Sequence, residues 1–582
     1  MKPCRHLVIA GVSIFLVSAC EAPRSTDADA QDTTVAEEHT VGTSPYTNCN
    51  FTSEPSGGAF DTVILNGRVM DPECDFDGTR NVGIKDGRIA LITESEISGS
   101  RTIDASGHVV APGFINNHNH TFAPFAQKLM AHDGTTTLID TESGSSNVAL
   151  FYEKYSGNSL LNYGAAVGHE PARAIVLDGL SEEDNFDSTI LLVARTKAAK
   201  DGYNQWALDV PTAEQHEQIL TIIEQGMRDG AVGVSSTVGY MGYGTPTYEL
   251  FDLQKIAKKY NRMFGAHTRF GPTVALPANY TLGLREIIAN AVALDGALIL
   301  THIHNQNWEE AYEIGMRLQE RGMNIFPEYY PHITGNPNIS TPQLLPDRIE
   351  ENNIDPTKHL YDPFTGELFE SREAFFKMQK ERPDEGVFII VRDPEWLEQW
   401  IHMKNTSISN DSVPYRDKDG NFLPIDADPV RYNGHPRVAN TYGKVFRMAR
   451  EQGVPLMDII NNAAYIPAKY YSKLGLEALQ LRGRIQPGMI ADITVFDPDT
   501  IADAATMKMG ERGLFTKGIP YVMVNGQVLI DNGVANTTIR PGQPIRYEVI
   551  TEGEIDLDLG DKKYQWHAEL PGVVNSHRIP PD

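Results

Sequence analysis

The chain has 582 residues, with 50 Lys and Arg against 77 Asp and Glu, giving a formal net charge of -27. Such an acidic surface repels phosphate backbones and argues against nucleic acid as a partner, and a mean hydropathy of -0.32 leaves no room for a bundle of membrane spans. The length exceeds one small core and suits a barrel of about 250 to 400 residues with attachments, which favours an enzyme over a small binding module.

Lys2 and Arg5 precede an apolar run from Leu7 to Val17, which reads as a targeting segment rather than part of the fold. It ends in Leu16-Val17-Ser18-Ala19-Cys20, which resembles the lipobox of bacterial lipoproteins. The resemblance implies a signal peptide over residues 1–19, lipidation of Cys20, and a periplasmic protein held to the membrane by its anchor alone. Glu21 at the next position resembles an outer-membrane sorting signal; an ordinary signal peptide with a chance cysteine is the alternative. Cys4 leaves with the leader, so Cys49 and Cys74 remain, as a disulfide in an oxidising compartment or as two free thiols. Residues 20–57 are Ser, Thr, Asp, Glu, Ala and Pro with few large apolar side chains, and read as a flexible tether.

From Asp61 the pattern becomes short strands and turns, in Thr62-Val63-Ile64-Leu65, Asn81-Val82-Gly83-Ile84 and Gly87-Arg88-Ile89. Similar strands return in Ala491 to Phe496 and Tyr521 to Leu529, so residues 58–111 and 480–545 are predicted to form a small β-sandwich domain from both ends of the chain. Between them, over 112–479, apolar strand-like runs alternate with helical stretches such as Glu217 to Asp229, the pattern of repeated βα units. The fold class predicted is α/β, a (β/α)8 barrel, with an insertion at about 340–400 over one barrel face and a C-terminal tail over 546–582.

Val109 to Ile115 runs into Asn116-Asn117-His118-Asn119-His120, and alternate side chains of a strand end put both imidazoles on one side, where they can share a cation. A His-x-His spacing alone is weak among 17 histidines; its place after a strand gives it weight.

Ala111-Pro112-Gly113-Phe114-Ile115 before His118 and His120 resembles the first-strand signature of the amidohydrolase superfamily, although that family has Asp where Asn116 or Asn117 stands. Gly134 to Glu142 is similar to the second-strand segment of the D-aminoacylase branch, and further segments follow in that branch's order: Gly164 to His169 with Arg173, Gly230 to Tyr240, Gly265 to Arg269, Leu300 to His304, Tyr330-Pro331, Ser409 to Ser412, His435-Pro436-Arg437 and Gly488 to Asp492. Glu142 and the Val167-Gly168-His169 context most resemble N-acyl-D-glutamate deacylases.

The resemblance implies one or two divalent metal ions, with zinc best suited to the donor set: His118 and His120 on one ion, His267 and His302 on a second, Glu142 between them with Glu170 as its rival, and Asp411 as metal contact and catalytic acid/base. Arg269, His304, Tyr330 and Arg437, with His332 nearby, would hold the carboxylate of an N-acyl amino acid substrate. His304 stands where relatives carry Lys, which replaces a fixed charge by one that depends on pH. The activity implied is deacylation of N-acyl-D-amino acids, N-acyl-D-glutamate among them; a dipeptidase or cyclic-amide hydrolase with the same metals, and a catalytically silent binding lipoprotein, are the alternatives.

Overall fold

The structure, a computed structural model, describes residues 45–52, 59–183, 204–270, 281–346, 348–350, 352–383, 385–413, 417, 419 and 421–557. The leader, Cys20, most of the tether and the end of the C-terminal tail lie outside the described residues.

The first strands belong to the sheet that both chain ends build: β1 (Phe60–Asp71), β2 (Phe76–Lys85), β3 (Arg88–Thr93), β4 (Gly99–Asp104) and β5 (Val109–Pro112). The barrel strands follow as β6 (Phe114–Asn116), β7 (Thr135–Ser145), β8 (Asn162–Gly168), β9 (Gly233–Ser236), β10 (Met263–Ala266), β11 (Ala297–Leu300) and β12 (Ile325–Tyr329). A long connection carries β13 (Thr334–Gly335), β14 (Leu360–Tyr361) and β15 (Phe388–Ile390) before the last barrel strand, β16 (Ser407–Ile408). The C-terminal contribution to the first sheet is β17 (Ile493–Phe496), β18 (Tyr521–Val524), β19 (Gln527–Asp531) and β20 (Val534–Ala535).

In the nine-stranded sheet β17 lies antiparallel to β5, with Ile493 opposite Pro112 and Phe496 opposite Val109, so residues far apart in the chain complete one layer. Ile64, Val69, Val82, Ile92, Val110, Ile493 and Val495 form its core. Cys49 and Cys74 are disulfide-bonded, with a Cα–Cα distance of 5.8 Å.

The eight barrel strands run in the order β6 to β12 and then β16, and every ladder between them is parallel. The strands are buried on both faces, as a parallel sheet under helices requires. Helix 213–228 shows how sequence builds that outer layer: Thr212 and Gln215 close a capping box at its start, and Ile219, Leu220, Ile223 and Met227 fall on the face turned inward. Inside, Ile115, Ile139, Ala166, Met263, Ile299 and Phe326 pack on Ile466, Tyr470 and Tyr471 of helix 466–472. Phe326 and Glu328 are two apart on β12 and share a side, so the barrel is filled below and carries polar groups above.

No β6–β16 ladder forms among the described residues; the ring closes just beyond both strands, by a parallel bridge between Asn119 and Ser412. The Asp411 amide donates to the His118 carbonyl at 2.9 Å and the His120 amide to the Ser412 carbonyl at 2.7 Å. Asn116 and Asn410 bond each other twice, at 2.7 and 3.2 Å, and the Ser412 hydroxyl donates to Asn119 Oδ1 at 2.5 Å.

The 330–406 connection has its own core of Ile339, Leu344, Leu360, Phe369, Phe375 and Ile389, around an antiparallel sheet in the order β13-β15-β14. The start of the segment read as a tail is tied to the barrel, since the Tyr547 and Ile550 amides donate to the Gly230 and Arg228 carbonyls.

Candidate metal centre

His118 and His120 follow β6, His267 follows β10, His302 follows β11, Asp411 follows β16, and Glu142 lies in β7, so all six stand toward the C-terminal ends of the strands. His118 Nε2 is 3.1 Å from His120 Nε2 and 3.1 Å from Glu142 Oε2. His302 Nε2 lies 3.4 Å from the same Glu142 oxygen and 3.3 Å from Asp411 Oδ2, and His267 Nδ1 lies 3.3 Å from Glu142 Oε1. Asp411 Oδ1 is 3.4 Å from His120 Nε2. Two sets of donor atoms converge, His118, His120 and Asp411, and His118, Glu142 and His302, each within 4.8 Å.

Glu142 therefore stands among the histidines, whereas the Glu170 carboxylate accepts a hydrogen bond from the Thr237 hydroxyl and belongs to neither set. Tyr240 stacks on His267 at 4.5 Å, and Gly239 leaves room for that ring, because a Cβ there would sit 2.3 Å from His267 Cδ2.

The groups behind the histidines decide whether a cation fits. His118 Nδ1 is 3.2 Å from Glu328 Oε2 and His120 Nδ1 is 3.3 Å from Asp140 Oδ2. A carboxylate at each Nδ1 keeps the ring proton there and turns the Nε2 lone pair outward. Two such lone pairs facing each other beside Glu142 and Asp411 repel unless a positive charge, a proton or a metal ion, lies between them, and nitrogen with carboxylate oxygen is the donor set of zinc. The residues present fit the metal.

Glu328 and Asp140 are themselves held. Glu328 accepts the His302 amide at 2.9 Å and the Ser409 hydroxyl, and Asp140 accepts the Glu142 and Ser143 amides at 3.1 and 3.0 Å. Neither was singled out in the sequence; the available signal was an acid inside an apolar strand run, in Ile325-Phe326-Pro327-Glu328-Tyr329 and Leu138-Ile139-Asp140.

Charge governs the site. Burial lowers the pKa of His118, but Glu142, Glu328 and Asp411 outweigh it and hold the ring well above the ordinary value. The same contest, with Asp140 as the leading charge, takes His120 to about 9. Burial opposes ionisation of Glu142 and Asp411, yet His302 and His118 hold the first, and Arg437 and His118 the second, well below the carboxylate range.

The expected substrate residues separate into two groups. Arg437 lies 3.1 Å from Asp411 Oδ2, and its guanidinium carbon is 4.8 Å from the centroid of the buried Tyr330 ring. Arg269, expected on the substrate, ties the segment after β10 to helix 282–294 and to the loop after β9: Nε donates to Glu286 at 2.8 Å, Nη1 to the Gly242 carbonyl at 2.8 Å and Nη2 to the Thr245 carbonyl at 2.6 Å. His304, expected as a pH-dependent cation, lies edge-on to Tyr330 at 4.3 Å and Trp400 at 4.9 Å. Burial, with Arg392 and His302, keeps it well below its ordinary pKa and therefore neutral. His332 is buried at 5.1 Å from the His435 ring.

Arg392 was missed in the sequence. It follows β15 in the insertion, is 5% exposed, and its guanidinium carbon is 4.7 Å from the Tyr330 centroid. Its Nε donates to Asn305 Oδ1 at 2.8 Å and its Nη1 to the His332 carbonyl at 3.4 Å. A cation closing the apolar run Val387 to Val391 was the signal.

No family model matches the chain. It is 25% identical to the N-acyl-D-glutamate deacylase of Alcaligenes xylosoxydans xylosoxydans over 85% of this chain and 98% of that enzyme, and 24% identical to the D-aminoacylase of the same organism over 81% and 95%. It superimposes on the crystal structure of the N-acyl-D-glutamate deacylase of Bordetella bronchiseptica, complexed with zinc and a phosphonate inhibitor, with a TM-score of 0.64 and 21% identity over 84% of this chain and all of that one. Along most of its length the chain is thus similar to N-acyl-D-glutamate deacylase and D-aminoacylase, the branch of the amidohydrolase superfamily that its ordered segments resemble, and it has their fold.

Proposed function

We propose that this chain hydrolyses the amide bond of N-acyl-D-amino acids, releasing a carboxylate and the free amino acid. The observation that carries the reading is the convergence of His118, His120, His302, Glu142 and Asp411 donor atoms at the mouth of the barrel. His118, His120, His267, His302, Glu142 and Asp411 would hold zinc, which when bound polarises an amide carbonyl and acidifies water.

This chain's residues supply the rest. Glu328 and Asp140 fix the imidazoles, and Asp411 stands between His120, His302 and Arg437, where its carboxylate takes a proton from the attacking water. As the carbon–oxygen bond forms and the carbon–nitrogen bond breaks, Asp411 passes that proton to the leaving nitrogen. Tyr330 and Arg437 flank this point and hold the substrate. Turnover of N-acetyl-D-glutamate by the zinc-loaded protein, against dipeptides and hydantoins, tests the reading; hydrolysis of the latter alone overturns it.

The mature protein is also proposed to be a lipid-anchored periplasmic protein, on the strength of the Leu16 to Cys20 segment. No helix among the described residues is long and apolar enough to cross a membrane. Labelled fatty acid should enter the wild-type chain and not Cys20→Ser.

A further inference from the structure

Two guanidiniums lie at the Tyr330 ring, and they differ in charge balance. Arg437 is matched by Asp411 at 3.1 Å. Arg392 is nine-tenths buried, yet among the described residues its hydrogen-bond partners are neutral, Asn305 Oδ1 and the His332 carbonyl, and no carboxylate comes within ion-pair distance. A buried cation without a counter-ion is costly, and such a group persists where a ligand supplies the missing charge. The His304 ring lies edge-on to Tyr330 at 4.3 Å in the same cage.

The placement of Arg392 is built by the insertion. β15 pairs antiparallel with β13, Thr334 opposite Ile390, and the Val391 amide donates to the Ile333 carbonyl at 3.3 Å. That register brings Arg392 opposite His332, two residues beyond Tyr330. The Tyr330 ring is 6.0 Å from the His302 ring and the Arg392 guanidinium carbon 4.7 Å from the Tyr330 ring, so the path from His302 through Tyr330 to Arg392 is no longer than about three residues of extended chain.

We propose that Arg392 is a specificity-determining residue that binds a carboxylate of the substrate, so that the insertion completes the substrate site; this rests on the deacylase reading above. An arginine fork suits a carboxylate bidentately, and hydrogen bonds to charged groups are worth enough to change affinity by about 10- to 100-fold.

The test compares wild type, Arg392→Gln and Arg392→Lys on N-acetyl-D-glutamate, its α-carboxamide and N-acetyl-D-glutamine. Metal content and melting temperature are followed in each protein. Arg392→Gln is expected to raise KM for N-acetyl-D-glutamate about 10- to 100-fold with a smaller change in kcat. Arg392→Lys is expected to recover part of it. The analogue on which Arg392→Gln equals wild type identifies the carboxylate held, the α group or the side-chain group. Equal losses on all three substrates, or none on any, overturn the proposal. Calorimetric titration with N-acetyl-D-glutamate separates it from the deacylase reading: a wild type that binds but does not hydrolyse refutes the reading alone, whereas equal affinity in wild type and Arg392→Gln, or no binding by wild type, refutes the role of Arg392.

Discussion

Asp411 and His302 both adopt positive φ, +45° and +54°, a region that costs energy for side chains with a Cβ and that surrounding structure must enforce. The enforcing bonds are the Asp411 amide to the His118 carbonyl and the His302 amide to Glu328, so each residue is aimed by a neighbouring strand. Asp411→Asn keeps the shape and accepts no proton; kcat should fall about 10²- to 10⁴-fold while bound metal is largely retained, and near wild-type turnover would remove Asp411 as proton carrier. Glu328→Gln should weaken metal binding about 10- to 100-fold by releasing the His118 ring, measured by competition with a chelator. Glu142→Ala should lose metal and Glu170→Ala should keep it, because the first sits among the imidazoles and the second on Thr237. The histidines that converge were legible because each stands just after a short apolar strand; Glu328 and Arg392 were not, since what marks them is a partner distant in sequence, His118 and Tyr330.

Helix 437–452 leaves helical geometry at Asn440, with φ -149° and ψ 34°, and Asp133 repairs the break. Its carboxylate accepts the Tyr442 and Gly443 amides at 2.8 and 2.9 Å and the Thr516 hydroxyl. Burial pushes Asp133 up to about 7 from 3.8, so between these values the folded chain keeps a proton that the unfolded chain has released. The stability this adds is whole below about pH 4 and declines as pH rises through 7. The unfolding free energy of wild type relative to Asp133→Asn should therefore fall between pH 4 and 7 by up to about 1.4 kcal/mol per pH unit, measured by denaturant titration, and a flat difference would contradict it. The alternation of strands and helices announced the barrel, since helix 213–228 carries its period in Ile219, Leu220, Ile223 and Met227. The two-residue β16 and the three short strands of the insertion have no such period and owe their form to tertiary pairing.

At the scale of the molecule, Cys49–Cys74 binds the start of the described chain to the β1–β2 turn, and the Glu73–Arg484 ion pair at 2.8 Å binds that turn to the segment leading into β17. Reduction, or Cys74→Ser, should lower stability by about 3 kcal/mol, seen as a lower melting temperature with reductant. The closure of the barrel carries a different consequence. Its first and last staves are laced by Asn116–Asn410 and Asn119–Ser412, and the same few residues carry His118, His120 and Asp411. A cation held by those three side chains would draw the two staves together and add to the hydrogen bonds that already join them. Stripping the ion should open the cylinder along that single line, and hydrogen exchange at the His120 and Asp411 amides should quicken well before exchange across the β10–β11 ladder on another arc of the ring.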